Sequence, residues 1–241
     1  SDGRIRNLDM KVDQRFYQRA YALDAIESEF INQRRGSAAK EHQAILKEAF
    51  NVLTSSQMDA LKVAGEPENV KERYGNNGFG KGCLMARRLV EAGVPFIEVN
   101  LGGWDNHQNI HPMLRDTKLP MLDQGMSALF EDLEQRGLID DTVVIWMGEF
   151  SRTPRINQNA GRDHWARSWS VVVGGGGMNG GIAVGETNSD GTRVETEPHT
   201  SQDVMASVCK ALGISLGTTF TSNNGRPMKI ANSGKIIKEL F

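Results

Sequence analysis

The stretch from residue 79 to residue 147 constrains this chain most, because it alternates helical and strand-like periods in strict order. Residues 79–92 place Phe79, Cys83, Leu84, Leu89 and Val90 at helical spacing and run into Gly93, the residue type favoured just past a helix C-terminus. An apolar run, VPFIEVNL at 94–101, comes next. A second helical period covers 119–136, with Leu122, Met126, Leu129, Phe130 and Leu133 on one face and Gly137 as its stop. A second apolar run, TVVIWM at 142–147, completes the pattern. Continuous apolar runs of this kind mark parallel strands covered on both faces. The expected fold class is therefore α/β: a mostly parallel sheet with helices on both faces. Strand–helix–strand connections are right-handed and put equivalent strand ends on one edge, where ligands of open α/β sheets bind. Whatever follows residues 101 and 147 should then meet in space.

Two loops dense in metal-ligand side chains follow those positions, GGWDNHQNIH at 102–111 and GEFSRTPRINQNAGRDH at 148–164. Between them they supply Asp105, His107, His111, Glu149, Arg152, Asp163 and His164. Carboxylate and imidazole together suit Zn²⁺, Mn²⁺ or iron better than Ca²⁺ or Mg²⁺, since imidazole is a nitrogen ligand of borderline softness. Such an ion polarises phosphoryl-type oxygens and lowers the pKa of water. Arg152 adds a planar fork of donors suited to phosphate or sulfate. Each residue also has a plainer reading. Asp105 could cap a turn, His111 could simply open the segment at Pro112, Glu149 could pair with Arg152 or Arg155, and Asp163 with Arg162. Three of the five histidines and three acids in two topologically matched loops favour a metal site over four separate coincidences. Trp104 and Trp165, beside these residues, would wall the site.

The rest of the chain reads as scaffold. Residues 9–61 are charged and Ala-rich, with Phe16, Ala20, Leu23, Ile26 and Phe30 at helical spacing, a break at Gly36, and then Ala44, Ile45, Phe50 and Leu53. Two or three amphipathic helices are expected there, and the chain divides into a helical segment at 1–73 packing on the core and an α/β portion at 74–241. WSVVV at 169–173 reads as a third strand, and the Gly- and Asn-rich stretch 180–197 as a loop or hairpin. TSQD at 200–203 has the capping-box pattern and opens a helix ending at Gly213. With 28 basic against 30 acidic residues, nothing favours nucleic acid as a partner. No apolar run approaches the roughly 20 residues of a membrane span. Cys83 and Cys209 lack CxxC spacing and read as buried thiols.

Several of these stretches also carry a family resemblance. ARRLVEAGVPFIEV, GGWDNH, LPMLDQGMSALFEDLEQRGLIDDTVVIWMGEFSRTPRIN, GRDHW and GGGGMNGG resemble, in order, the C-terminal half of the domain of unknown function 1501 family. Those bacterial proteins are similar to sulfatases and belong with the alkaline phosphatase superfamily. The resemblance implies an alkaline phosphatase-like sheet, one or two divalent ions (zinc or manganese, with calcium or magnesium as the other candidates), and hydrolysis of a small anionic sulfate or phosphate ester, such as a sulfated glycan. It implies Asp105, His107 and His164 as ligands of one ion, Glu149 as a ligand toward a second, Asp163 among the ligands, and Arg152 as the group that holds the anion. Export to the periplasm or beyond is a further implication. The spacing from Asp105 to His107 is shorter than the superfamily's Asp-x-x-x-His, and Phe150 stands where a second metal-binding His belongs. The superfamily's nucleophile lies on early strands with no counterpart in these 241 residues. The alternative is accordingly a non-catalytic binding or scaffold protein that keeps the superfamily fold.

Overall fold

The computed structural model describes residues 12–33, 37–55 and 57–241. They fall into two compact units, Ser1–Asn100 with Gln124–Met126, and Leu101–Asp123 with Ser127–Phe241.

The first unit is helical: α1 (Gln14–Gln33), α2 (Ser37–Thr54), α3 (Gln57–Ala60), α4 (Glu68–Tyr74) and α5 (Gly78–Glu91). Phe16 of α1 stacks on Phe50 of α2 at 5.5 Å, and Tyr17 meets the same ring edge-on at 5.8 Å. Polar bonds from His42 to Glu27 and from Gln43 to Asp24 and Ser28 continue the pairing of α1 with α2. The helical spacing is as expected, but the burial is not: Leu23, Ile26 and Ile45 are exposed. The side chain of Phe30 and the break at Gly36 lie outside the described residues. The best-packed part surrounds α5, where Cys83, Leu84, Ala86 and Arg87 are buried with Tyr74 of α4. Arg87 is tolerated there because Glu66 (2.9 Å) and Glu91 (2.7 Å) neutralise it, and Arg88 also bonds Glu66. Burial pushes the Cys83 thiol up to about 12.

Helix α5 ends where Gly93 predicts. Gly93, at φ 75°, donates to Val90 O and Val94 to Leu89 O, so the last carbonyls find partners. Residues 94–101 were expected to be a buried strand, and this is corrected: no strand forms there, and Phe96 is 82% exposed. Ile97, Val99 and Leu101 are half-buried while Phe96, Glu98 and Asn100 are exposed. The period of two is present, but among the described residues no neighbouring strand completes a ladder.

The second unit begins with α6 (Ile110–Met113), which passes through a π-helical turn (Leu114–Lys118) into α7 (Leu119–Gln135). Pro120, which lacks an N–H and crowds the preceding turn, follows the widened turn directly. The remaining elements are β1 (Val144–Trp146), β2 (Ser151–Arg152), β3 (His164–Trp165), β4 (Val172–Gly174), α8 (Ser201–Ala211), β5 (Thr219–Thr221) and β6 (Pro227–Lys229). They pair β1 with β4, β2 with β3 and β5 with β6, and every pair is antiparallel. The expected mostly parallel, alkaline phosphatase-like α/β sheet with helices on both faces is thus not what the described residues form. Composition reports that TVVIWM is extended, but not which strand lies beside it. The partner of β1 returns from downstream, and Val144, Ile145 and Trp146 are only half-buried, as befits a two-stranded ladder. Helix α8 opens with the expected capping box between Thr200 and Asp203 and closes at Gly213. Among the described residues no helix is long and apolar enough to cross a membrane.

Candidate metal centre

The two ligand-rich loops do meet, although not at the edge of a parallel sheet. Main-chain bonds join them: Asn109 donates to Asn159 O (3.1 Å), Ile110 to Ala160 O (2.9 Å) and Arg162 to Asn106 O (3.1 Å). The first two also satisfy N–H groups at the start of α6, which would otherwise lack partners. Gly161 lies against the His107 main chain so closely that a Cβ on it would come within 2.0 Å of His107 C. Only glycine fits at that approach.

The seam brings side chains together around one oxygen. Asp105 Oδ1 lies 3.0 Å from His107 Nε2 and 3.0 Å from His164 Nε2, and it accepts a bond from Arg152 Nη1. Arg152 and His164 converge on it because the β2–β3 register sets them opposite each other, and opposed residues in an antiparallel pair share a face. The donor atoms of Asp105, His107 and His164 all lie within 4.8 Å of one another. Ring contacts fix the imidazoles: His107 and His164 sit 5.1 Å apart, and Phe150 packs on His164 at 4.7 Å. Arg152 is the most enclosed member, its side chain 16% exposed, whereas Asp105 is 62% exposed.

The electrostatics follow from this geometry. The His164 hydrogen bond, helped by the Arg152 bond and charge and the charge of His107, outweighs an opposing desolvation and holds the Asp105 carboxyl below the usual carboxylate range. The His107 bond, then that of Asn157, does the same for Asp163. Both carboxylates are thus ionised and able to act as acceptors or ligands at neutral pH. Two imidazoles and a carboxylate form a donor set suited to zinc, manganese or iron, and bonds of about 2 Å can span donor atoms this close together.

The remaining expected residues lie outside the three-residue group. Asp163 bonds the opposite nitrogen of His107, Nδ1, at 2.8 Å. Arg162 does not pair with it and donates instead to Thr153 O and Pro154 O. Glu149 stands 3.8 Å from Arg152 and two-thirds exposed. His111 lies exposed on α6. Asn157, unremarked in the sequence, is central to the seam: its Oδ1 accepts from Asn159 and Gly161 N–H, and its Nδ2 donates to His107 O and Asp163. Asn is a common turn residue because its side chain bonds nearby backbone, and the NQNAG run was the available signal.

A family model described as "Protein of unknown function (DUF1501)" matches residues 4–241. The chain belongs to the DUF1501 family. The DUF1501 match takes in the N-terminal helices as well as the two loops, so both units fall within it. No curated protein and no solved structure matches this DUF1501 chain.

Proposed function

We propose that Asp105, His107 and His164 bind one divalent ion, zinc or manganese, and that the protein hydrolyses a small sulfate or phosphate ester. The observation that carries this reading is the convergence of three donor atoms of a suitable set within 4.8 Å. The ion would supply Lewis acidity toward the ester oxygen. Arg152, which sits opposite His164 in the β2–β3 register and bonds Asp105, would turn its guanidinium to the anionic group and fix its orientation. The resemblance of the motifs to those of the DUF1501 family, whose members are similar to sulfatases, points to the same chemistry. A single ion is favoured: among the described residues no other group gathers three ligands.

A second reading, a binding protein without turnover, is favoured by the exposure of the group and by the fact that its members already satisfy one another. Assay of the full-length gene product on aryl sulfates and aryl phosphates, with and without chelator, separates the two. Hydrolysis abolished by chelator is expected. An Arg152→Ala substitution should lower kcat/KM about tenfold to a hundredfold, the value of a charge-assisted hydrogen bond or two. A stable, metal-loaded protein with no turnover on either ester would leave the binding reading in place.

A further inference from the structure

The structure gives His107 two carboxylate neighbours, one on each ring nitrogen: Asp163 Oδ1 at 2.8 Å from Nδ1 and Asp105 Oδ1 at 3.0 Å from Nε2. Only the second faces His164 and the cluster. We propose that Asp163 is a positioning residue, clamped by Asn157, that keeps the proton of His107 on Nδ1 and so turns the Nε2 lone pair toward Asp105 and His164. This inference deepens the metal reading and rests on it for its functional meaning.

Both ring nitrogens face a carboxylate, and an ionised carboxylate only accepts, so a charged ring donates from both and a neutral ring from one. The Asp163 contact is the shorter, 2.8 Å against 3.0 Å, and Asp105 Oδ1 already accepts from Arg152, so the proton of the neutral ring stays on Nδ1 and its lone pair on Nε2. Asp163 is in turn fixed from three sides. Asn157 Nδ2 donates to its Oδ1 at 3.1 Å, Thr153 N donates to its carbonyl at 2.8 Å, and its own N–H donates to Thr153 Oγ1 at 3.1 Å. The orientation of the Asn157 amide is itself determined. Two backbone N–H groups, of Asn159 and Gly161, point at one of its atoms, and they can only donate, so that atom is oxygen and the NH₂ faces Asp163 and His107 O. The direction of every bond from the 157–161 backbone through Asn157 and Asp163 to His107 is therefore set by groups that have no alternative role. Partners of this kind orient metal-bound histidines generally, and their loss costs tenfold to a hundredfold in affinity.

The test uses ¹⁵N-labelled, metal-free protein, with long-range ¹H–¹⁵N correlation spectra of His107, and zinc and manganese titrations of the same samples. In the wild type Nδ1 should be the protonated nitrogen. Asp163→Ala should scatter the tautomers and weaken zinc binding about tenfold to a hundredfold, while Asp163→Asn, whose carbonyl still accepts from Nδ1–H, should keep the wild-type pattern and most of the affinity. Circular dichroism confirms that each variant is folded, and the exposed position of Asp163 allows either substitution. A neutral wild-type ring with its proton on Nε2, or an Asp163→Ala spectrum identical to wild type, overturns the proposal. If the tautomer depends on Asp163 but the wild type takes up neither metal, the positioning role is upheld and the metal reading falls.

Discussion

One oxygen of Asp105 accepts from Arg152 and stands within hydrogen-bonding distance of two imidazoles, and that crowding is the residue-scale fact from which the rest follows. One guanidinium donor and two imidazole nitrogens surround a single acceptor, and the proposed cation site rests on that crowding. The arrangement depends on a residue that touches none of these side chains. Gly161→Ala would drive a methyl into the His107 main chain, and the two loops would have to part. Overpacking of this kind costs about 1–3 kcal/mol, so a lowered denaturant midpoint together with loss of zinc binding is expected; a variant with unchanged midpoint and unchanged affinity would refute the close approach. The sequence announced the clustered side chains at this scale because Asp, His and Arg carry their chemistry in their side chains. It did not announce Asn157 or Gly161, whose roles lie in backbone contacts that no composition or spacing encodes.

At the scale of elements, what was legible was whatever is local. Gly93, Gly137 and Gly213 end α5, α7 and α8 with the same pair of main-chain bonds, and the Thr200–Asp203 box starts α8, because caps are written within five or six residues. Thr200→Ala should destabilise by about 1 kcal/mol, read by denaturation followed at 222 nm; no change would mean that the bond from the Thr200 main-chain N–H to Asp203, which survives the substitution, is enough to hold the helix start. The β5–β6 hairpin was missed although Asn224–Gly225 marks its turn, since its flanking residues are all exposed and show no buried face. The parallel sheet failed for the opposite reason. The runs at 94–101 and 142–147 do have strand composition, but pairing is a long-range property, and β1 found its partner in β4 while 94–101 found none among the described residues. The loops still meet, joined by main-chain bonds across the seam and by the β2–β3 ladder.

At the scale of the whole molecule, the first unit is stabilised around α5 by an ion cluster, and its pH response follows. Burial alone would raise the Glu66 carboxyl, but hydrogen bonds from Arg87 and Arg88 outweigh it and hold the group below its ordinary value of 4.5. A carboxylate depressed in the folded state contributes stability that is fully present above the unfolded value and is lost as pH falls through the folded one. Thermal unfolding between pH 6 and pH 3 should therefore show a falling midpoint below about pH 4.5, and Glu66→Gln should flatten that fall. An equally steep fall in the variant would place the acid sensitivity elsewhere. In the second unit the DUF1501 chain holds its candidate metal ligands at a two-loop seam. The most direct test of the account is metal content: purified wild-type protein, exposed to zinc or manganese and desalted, compared with Asp105→Ala/His164→Ala treated identically. About one ion per chain in the wild type and none in the folded variant is the predicted result. Equal and negligible metal in both would contradict it.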